Sequence, residues 1–145
     1  MSVCKKYPAK LVGKWFKNKS LLEGVPITLT KIELLIYAAK GFSMAQGRDI
    51  VKEKVLVGCY GPEFDICYLL PTYLDIYRLS ILNKDYYAMG VLEKAWRILG
   101  FQSTARILGA AMHETSPWAK ARHSGFDVIP DVYMLDFFGS LIVGS

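Results

Sequence analysis

The chain is poor in the residues that build covalent or metal frameworks. It has three cysteines, Cys4, Cys59 and Cys67, and two histidines, His113 and His123. An odd number of thiols in no disulfide pattern, with no pair at zinc-ligand spacing, predicts reduced structural cysteines and no metal site. The chain also lacks an uninterrupted apolar run of membrane-spanning length. The first twenty residues, MSVCKKYPAKLVGKWFKNKS, carry lysines throughout and have neither the apolar stretch nor the small-residue cleavage site of a secretory leader. A cytoplasmic protein without membrane contact is expected. No internal repeat, low-complexity tract or Pro/Gly/Ser-rich linker divides the sequence. There is no Walker or dinucleotide fingerprint, and Gly61-Pro62 is not a Gly-rich loop leading into a helix, so nucleotide binding has no support and no cofactor is expected.

What is present suits one globular domain. At 145 residues the chain is long enough to bury a core and short for two, and 52% hydrophobic content against 21% charged is too apolar for disorder. A single domain with its core over about residues 7 to 140 is predicted. The net charge is +5, and its distribution is uneven: Lys5, Lys6, Lys10, Lys14, Lys17 and Lys19 precede the first acid, Glu23. From residue 20 onward 12 bases face 13 acids. A near-neutral body with one basic end gives no sign of a broad nucleic-acid surface, so a nucleic-acid partner is not expected.

Periodicity predicts a mainly α fold, a compact bundle of six or seven helices with a small β-strand wing. In residues 7 to 18, Leu11, Val12, Trp15 and Phe16 form one stripe while Lys6, Lys10, Lys14 and Lys17 fall on another face, an amphipathic helix opening near Pro8. The segment ITLTKIELLIYAAKGFSMAQG offers Thr28 or Thr30 as N-cap, with Glu33 in capping-box register to Thr30, and Gly41 or Gly47 as a stop. Its Ile32, Leu35, Ile36 and Ala39 mark the central core helix. Residues 49 to 60 alternate charge with Val and Ile, which suits one or two short strands closed by Gly61-Pro62. Pro71 should divide the next apolar stretch into two short helices. YYAMGVLEKAWRILG reads as a helix ending at Gly100. Ser103 caps another, Pro117 interrupts, and Asp131 can cap a last one over VYMLDFFGSLIV.

The stretch LGAAMHETSPWAKARHSG crowds His113, Pro117, Trp118 and Arg122 around a helix break. It resembles the hallmark of the Panacea, or SocA-like antitoxin, family: a helix ending at a Thr-His or similar pair, then Pro-Trp, then Arg four residues on. Met112 replaces the Thr. ITLTKIELLIYAAKG is similar to the family's Ile-Thr-Pro helix, with Leu29 in place of Pro. CYGPEF resembles the family's Tyr-Gly-Pro-Val, with Glu63 in place of Val and the usual upstream Trp missing. VLEKAWRILGFQSTARIL is similar to its helix, Gly, Ser-capped helix unit. The matches run in order from about residue 10 to 138. The resemblance implies a helical domain with a strand wing, in a family of bacterial and phage genes whose members neutralise unrelated toxins by direct contact.

The function expected is therefore a non-enzymatic, antitoxin-like protein that grips a cognate toxin, with a phage-encoded inhibitor of a host defence complex as the alternative. The contact residues would be Tyr60, His113, Trp118 and Arg122, Trp and Arg being favoured interface anchors. Lys6, Lys10, Lys14 and Lys17 would face an acidic partner. Each has a structural alternative: the indole fills a gap over the core, the guanidinium caps carbonyls or pairs with Glu114, and the lysines form a solvated face. A small hydrolase or transferase built on His113 and Glu114 is the rival from another class, though no Ser or Cys nucleophile lies nearby. The apolar end FFGSLIVGS can pack on the domain or form a dimer contact, and oligomeric state is left open.

Overall fold

The computed structural model describes residues 5–65 and 73–143. Within them lie seven helices, α1 (Ala9–Glu23), α2 (Leu29–Ala45), α3 (Tyr73–Asn83), α4 (Tyr86–Leu99), α5 (Thr104–Ala111), α6 (Pro117–His123) and α7 (Asp131–Val143). A hairpin of β1 (Leu56–Gly58) and β2 (Gly61–Glu63) stands between α2 and α3. The fold is mainly α with a small β wing. Cys4, Cys67 and Pro71, and with Pro71 the expected helix division, lie outside the described residues. So does the first of the two short helices expected there, while α3 is the second.

Helix α2 is the axle, packed against α1, α4, α5, α7 and β2. Its sequence is apolar almost all round, and a helix of that kind is stable only when other elements cover every side. Ile32, Leu34, Leu35, Ile36 and Ala39 are buried. Two lysines on α2 are buried as well, and each ties down a neighbouring segment. Lys31 Nζ donates to the Gly100 carbonyl at the end of α4 at 2.5 Å, and burial pulls its pKa below the usual lysine value. Lys40 Nζ donates to Asp49 at 2.6 Å and to the Val51 carbonyl at 2.9 Å. Buried cations persist only when paired in this way.

Several local expectations are corrected. Of the two candidate caps, Thr28 is the one used, accepting the Lys31 amide at 3.2 Å. Glu33 is thereby left out of a capping box and accepts instead the amide of Phe64, 3.0 Å away beside the wing. Burial raises the Glu33 pKa and the nearby Glu63 adds to this, against the Phe64 amide. Of the two candidate stops, helix α2 runs straight through Gly41 to Ala45, and Gly47, at φ 87, follows its end. Gly41 is there for space, since a Cβ would lie 2.3 Å from the Phe138 ring. Helix α1 extends to Glu23, because Gly24 at φ 66 adopts the left-handed turn that lets the Val25 amide close on Ser20 O at 2.9 Å. Pro117 opens α6 rather than interrupting it, with Ser116 as N-cap. Asp131 occupies the first turn of α7, whose leading amides bond to Pro130 O. Ser103 caps α5 as expected.

The wing also differs from expectation. Gly61 and Pro62 form part of the second strand, Pro62 opposite Val57, and the turn is Cys59-Tyr60. Proline is tolerated because this strand is an edge. The other edge of β1 is covered from the far end of the chain: the Val57 amide donates to Asp127 O at 2.8 Å and the Ile129 amide to Val55 O at 2.9 Å.

A polar hub joins the start of α1, the loop after α2 and the start of α4. Asp85 caps α4 by accepting the Ala88 amide at 3.1 Å, and it receives the Tyr7 hydroxyl at 2.6 Å and Arg48 Nη2 at 2.7 Å. Burial pushes the Asp85 carboxyl up. The hydrogen bonds from Tyr7, Ala88 and Arg48, with the charge of Arg48, outweigh this and hold it below its ordinary value. Arg48 also lies 4.7 Å over the Tyr87 ring, while its buried Nε has no hydrogen-bond partner among the described residues.

Candidate functional site

The wing tip is held from one side by a single turn of α6. Pro117 at the first position and Ser116 as cap, accepting the Ala119 amide at 3.1 Å, start that helix where Trp118 and Arg122 fall one turn apart on the same face. Trp118 is only 6% exposed, and its indole Nε1 donates to Gly58 O at 2.8 Å. Arg122 stacks 5.2 Å over the indole, and its Nη1 donates to Cys59 O at 3.0 Å. These two carbonyls lead into the turn, so both are fixed by side chains sixty or more residues away in sequence. A buried indole that satisfies its N–H, with a cation over its face, is a structural clamp. Trp118 offers no open face to a partner; Arg122, bound to the Cys59 carbonyl rather than to Glu114, is exposed.

From the other side the tip leans on α5. A Cβ at Gly61 would lie 2.9 Å from Leu108 Cδ1 and 3.6 Å from Met112 Cγ. His113 follows Met112 and is exposed. Its Nδ1 lies 3.0 Å from Thr115 Oγ1 and accepts the Thr115 amide at 3.3 Å, which makes it part of the turn between α5 and α6. Between these supports, Tyr60 stands 79% exposed. Tyr60, His113, Trp118 and Arg122, scattered over sixty residues of sequence, therefore gather at one end of the molecule. The last turn of α6 adds Lys120 and His123 beside Arg122, basic residues at a helix end whose carbonyl dipoles favour positive charge.

The lysines of the first helix do not form the expected common face. Lys14 is buried, 6% exposed. Lys6 lies 3.7 Å from Asp49, Lys10 is half-buried, and Lys17 is exposed. The cause is that α1 packs on both α2 and α3, so more of its circumference is covered than a single apolar stripe would require. Among the described residues no group of three His, Cys, Asp or Glu side chains could hold a metal ion, and no helix is long and apolar enough to cross a membrane.

Sequence reasoning missed the Gly58 and Cys59 carbonyls as the receivers of Trp118 and Arg122. The available signal was the four-residue spacing of Trp118 and Arg122, which marks a shared target but not its address. Fold and site together define a mainly helical protein with an aromatic residue displayed on a braced two-residue turn. Comparison with models of known protein families, with curated proteins and with solved structures finds no match.

Proposed function

We propose that this chain is a non-enzymatic, antitoxin-like protein of the cytoplasm that neutralises a cognate toxin by direct contact, with the wing tip as its contact surface. The observation that carries the reading is Tyr60, 79% exposed at a turn whose two preceding carbonyls are bonded to Trp118 and Arg122. A tyrosine on such a support buries a large amphipathic ring while losing little freedom on binding, because its backbone is already ordered. Arg122, Lys120 and His123 at the rim favour an acidic partner, and the motif likeness to the Panacea family supports a toxin as that partner.

A pull-down with tagged protein from the native host, washed at low and then high salt, tests it. Wild-type protein retains one stoichiometric partner, and the complex weakens as salt rises. Tyr60→Ala, with unchanged circular dichroism and melting temperature, lowers affinity about 30-fold, the effect of losing an aromatic anchor. A folded Tyr60→Ala variant that binds as tightly as wild type removes the wing tip from the interface. Recovery of a defence complex in place of a toxin turns the reading to an inhibitor using the same surface.

A further inference from the structure

Outside the wing tip, and independent of the reading given to it, a cleft of about 310 Å³ opens between the start of α1, the segment after α2, and α3. The backbone joins its first two walls. Tyr7 pairs in parallel with Val51, its amide donating to Ile50 O at 2.7 Å while the Lys52 amide donates to Tyr7 O at 2.9 Å. Tyr7 and Leu11 are buried beneath, and half-buried Pro8 and Ile81 give the floor its accessible apolar surface.

Three cations line this cleft, one from each wall: Lys6, Lys52 and Arg78, all exposed. The side chains of Lys52 and Arg78 make no hydrogen bond or ion pair with the described residues. Lys6 stands 3.7 Å from Asp49, a carboxylate that Lys40 already engages at 2.6 Å. The other nearby acid, Glu53, accepts the Ala9 amide at 2.9 Å, and among the described residues no acid lines the cleft. A concavity lined by charge of one sign focuses its potential and draws in the opposite ion.

The arrangement also limits the size and charge of that ion. An extended acidic chain is met by cations strung along a face, whereas these surround a recess at the lower end of small-molecule volumes. A phosphate monoester carries close to two negative charges at pH 7 and three strong acceptor oxygens. It can therefore engage three cations at once, and the fork of an arginine suits it in particular.

We propose that this cleft binds a small phosphate monoester, its phosphate held by Lys6, Lys52 and Arg78 and its organic part against Pro8 and Ile81.

Phenyl phosphate is the probe, compared with inorganic phosphate and with phenyl sulfate, which keeps the shape but carries a single charge. Each is titrated at constant ionic strength into isotopically labelled full-length protein and followed by NMR. Phenyl phosphate shifts the resonances of Leu11, Lys52 and Ile81 saturably at one site, phenyl sulfate binds about tenfold more weakly and inorganic phosphate about threefold. Affinity for phenyl phosphate rises from about pH 5 to about pH 7 as its second proton leaves, and affinity for phenyl sulfate stays level. Arg78→Gln weakens phenyl phosphate about tenfold and Lys52→Gln about fivefold at unchanged melting temperature. Arg106→Gln, which removes the same charge from an exposed position on α5, leaves binding as it was. The proposal is overturned by the absence of saturable shifts at these residues, by a flat pH profile, or by inorganic phosphate binding as tightly as the ester. It is equally overturned if Arg106→Gln weakens binding as much as Lys52→Gln, which reduces the effect to net charge. A cleft that ignores phenyl phosphate and responds to a glutamate-rich peptide also overturns it, and assigns the three cations to an acidic protein partner.

Discussion

Tyr7 and Tyr37 are buried to the same degree, 5% exposed each, and their hydroxyls meet opposite fates. Tyr7 donates to Asp85 at a junction of three segments, with Arg48 and the Ala88 amide converging on the same carboxylate. Tyr37, on the central helix against α7, has an aromatic neighbour in Phe138, ring centroids 5.4 Å apart, and no hydrogen-bond partner for its hydroxyl among the described residues. The first tyrosine holds the protein together. Phenylalanine would serve the packing role of the second equally well. Burial alone does not separate the two cases; the fate of the polar atom does.

The sharpest way to break the contrast is at the hub. Asp85→Ala removes the acceptor shared by Tyr7 and Arg48 and the cap of α4, and should destabilise by about 3 kcal/mol, read as a lower urea midpoint at unchanged slope. The same group sets an acid limit. Its folded pKa lies below the ordinary aspartate value of 3.8, so its contribution is complete above the unfolded pKa and is lost as pH falls through the folded one. Wild type should therefore lose stability more steeply than Asp85→Asn as pH is lowered below about 4. At the other tyrosine's end, Gly41→Ala puts a methyl into the Phe138 ring and should cost about 2 kcal/mol, since the ring must shift. The smallest effects compare the tyrosines directly: Tyr7→Phe should cost about 1.5 kcal/mol and Tyr37→Phe about zero by thermal or urea unfolding. Equal losses in the two variants would mean that Tyr37 has a structural partner after all.

Much of the helical frame was legible in the sequence. The all-round apolarity of α2 marks it as central, and Ser103 and Gly100 lie at their helix ends because those signals act within a few residues. The failures share a cause, which is that the deciding partner is distant in sequence. Thr28 and Thr30 satisfy the same local capping rule, and what engages Glu33 is Phe64, 31 residues on. Lys10, Lys14 and Lys17 recur at helical spacing, but amphipathic patterning assumes one covered side and α1 has two. Trp118 suits an interface or a core equally by residue type, and its burial depends on a hairpin 60 residues earlier. The exposure of Tyr60 follows from the position of the turn, which lies at Cys59-Tyr60, while the Gly61-Pro62 expected to close the wing is part of its second strand. Nothing local marks Tyr37 as unpartnered, because the lack of a partner is a property of the assembled fold.

The seam that covers β1 has a consequence in time. The strand's second edge is closed by residues 127–129, and the tip above it is braced by Trp118 and Arg122. Synthesis runs from the N-terminus, and contacts of long sequence separation form late. On the ribosome, the helices around α2 have begun to emerge while the hairpin still lacks both its edge and its brace. The surface that displays Tyr60 is thus completed only once residues 118–129 have been made, so that a nascent or truncated copy lacking them carries the residue without the platform.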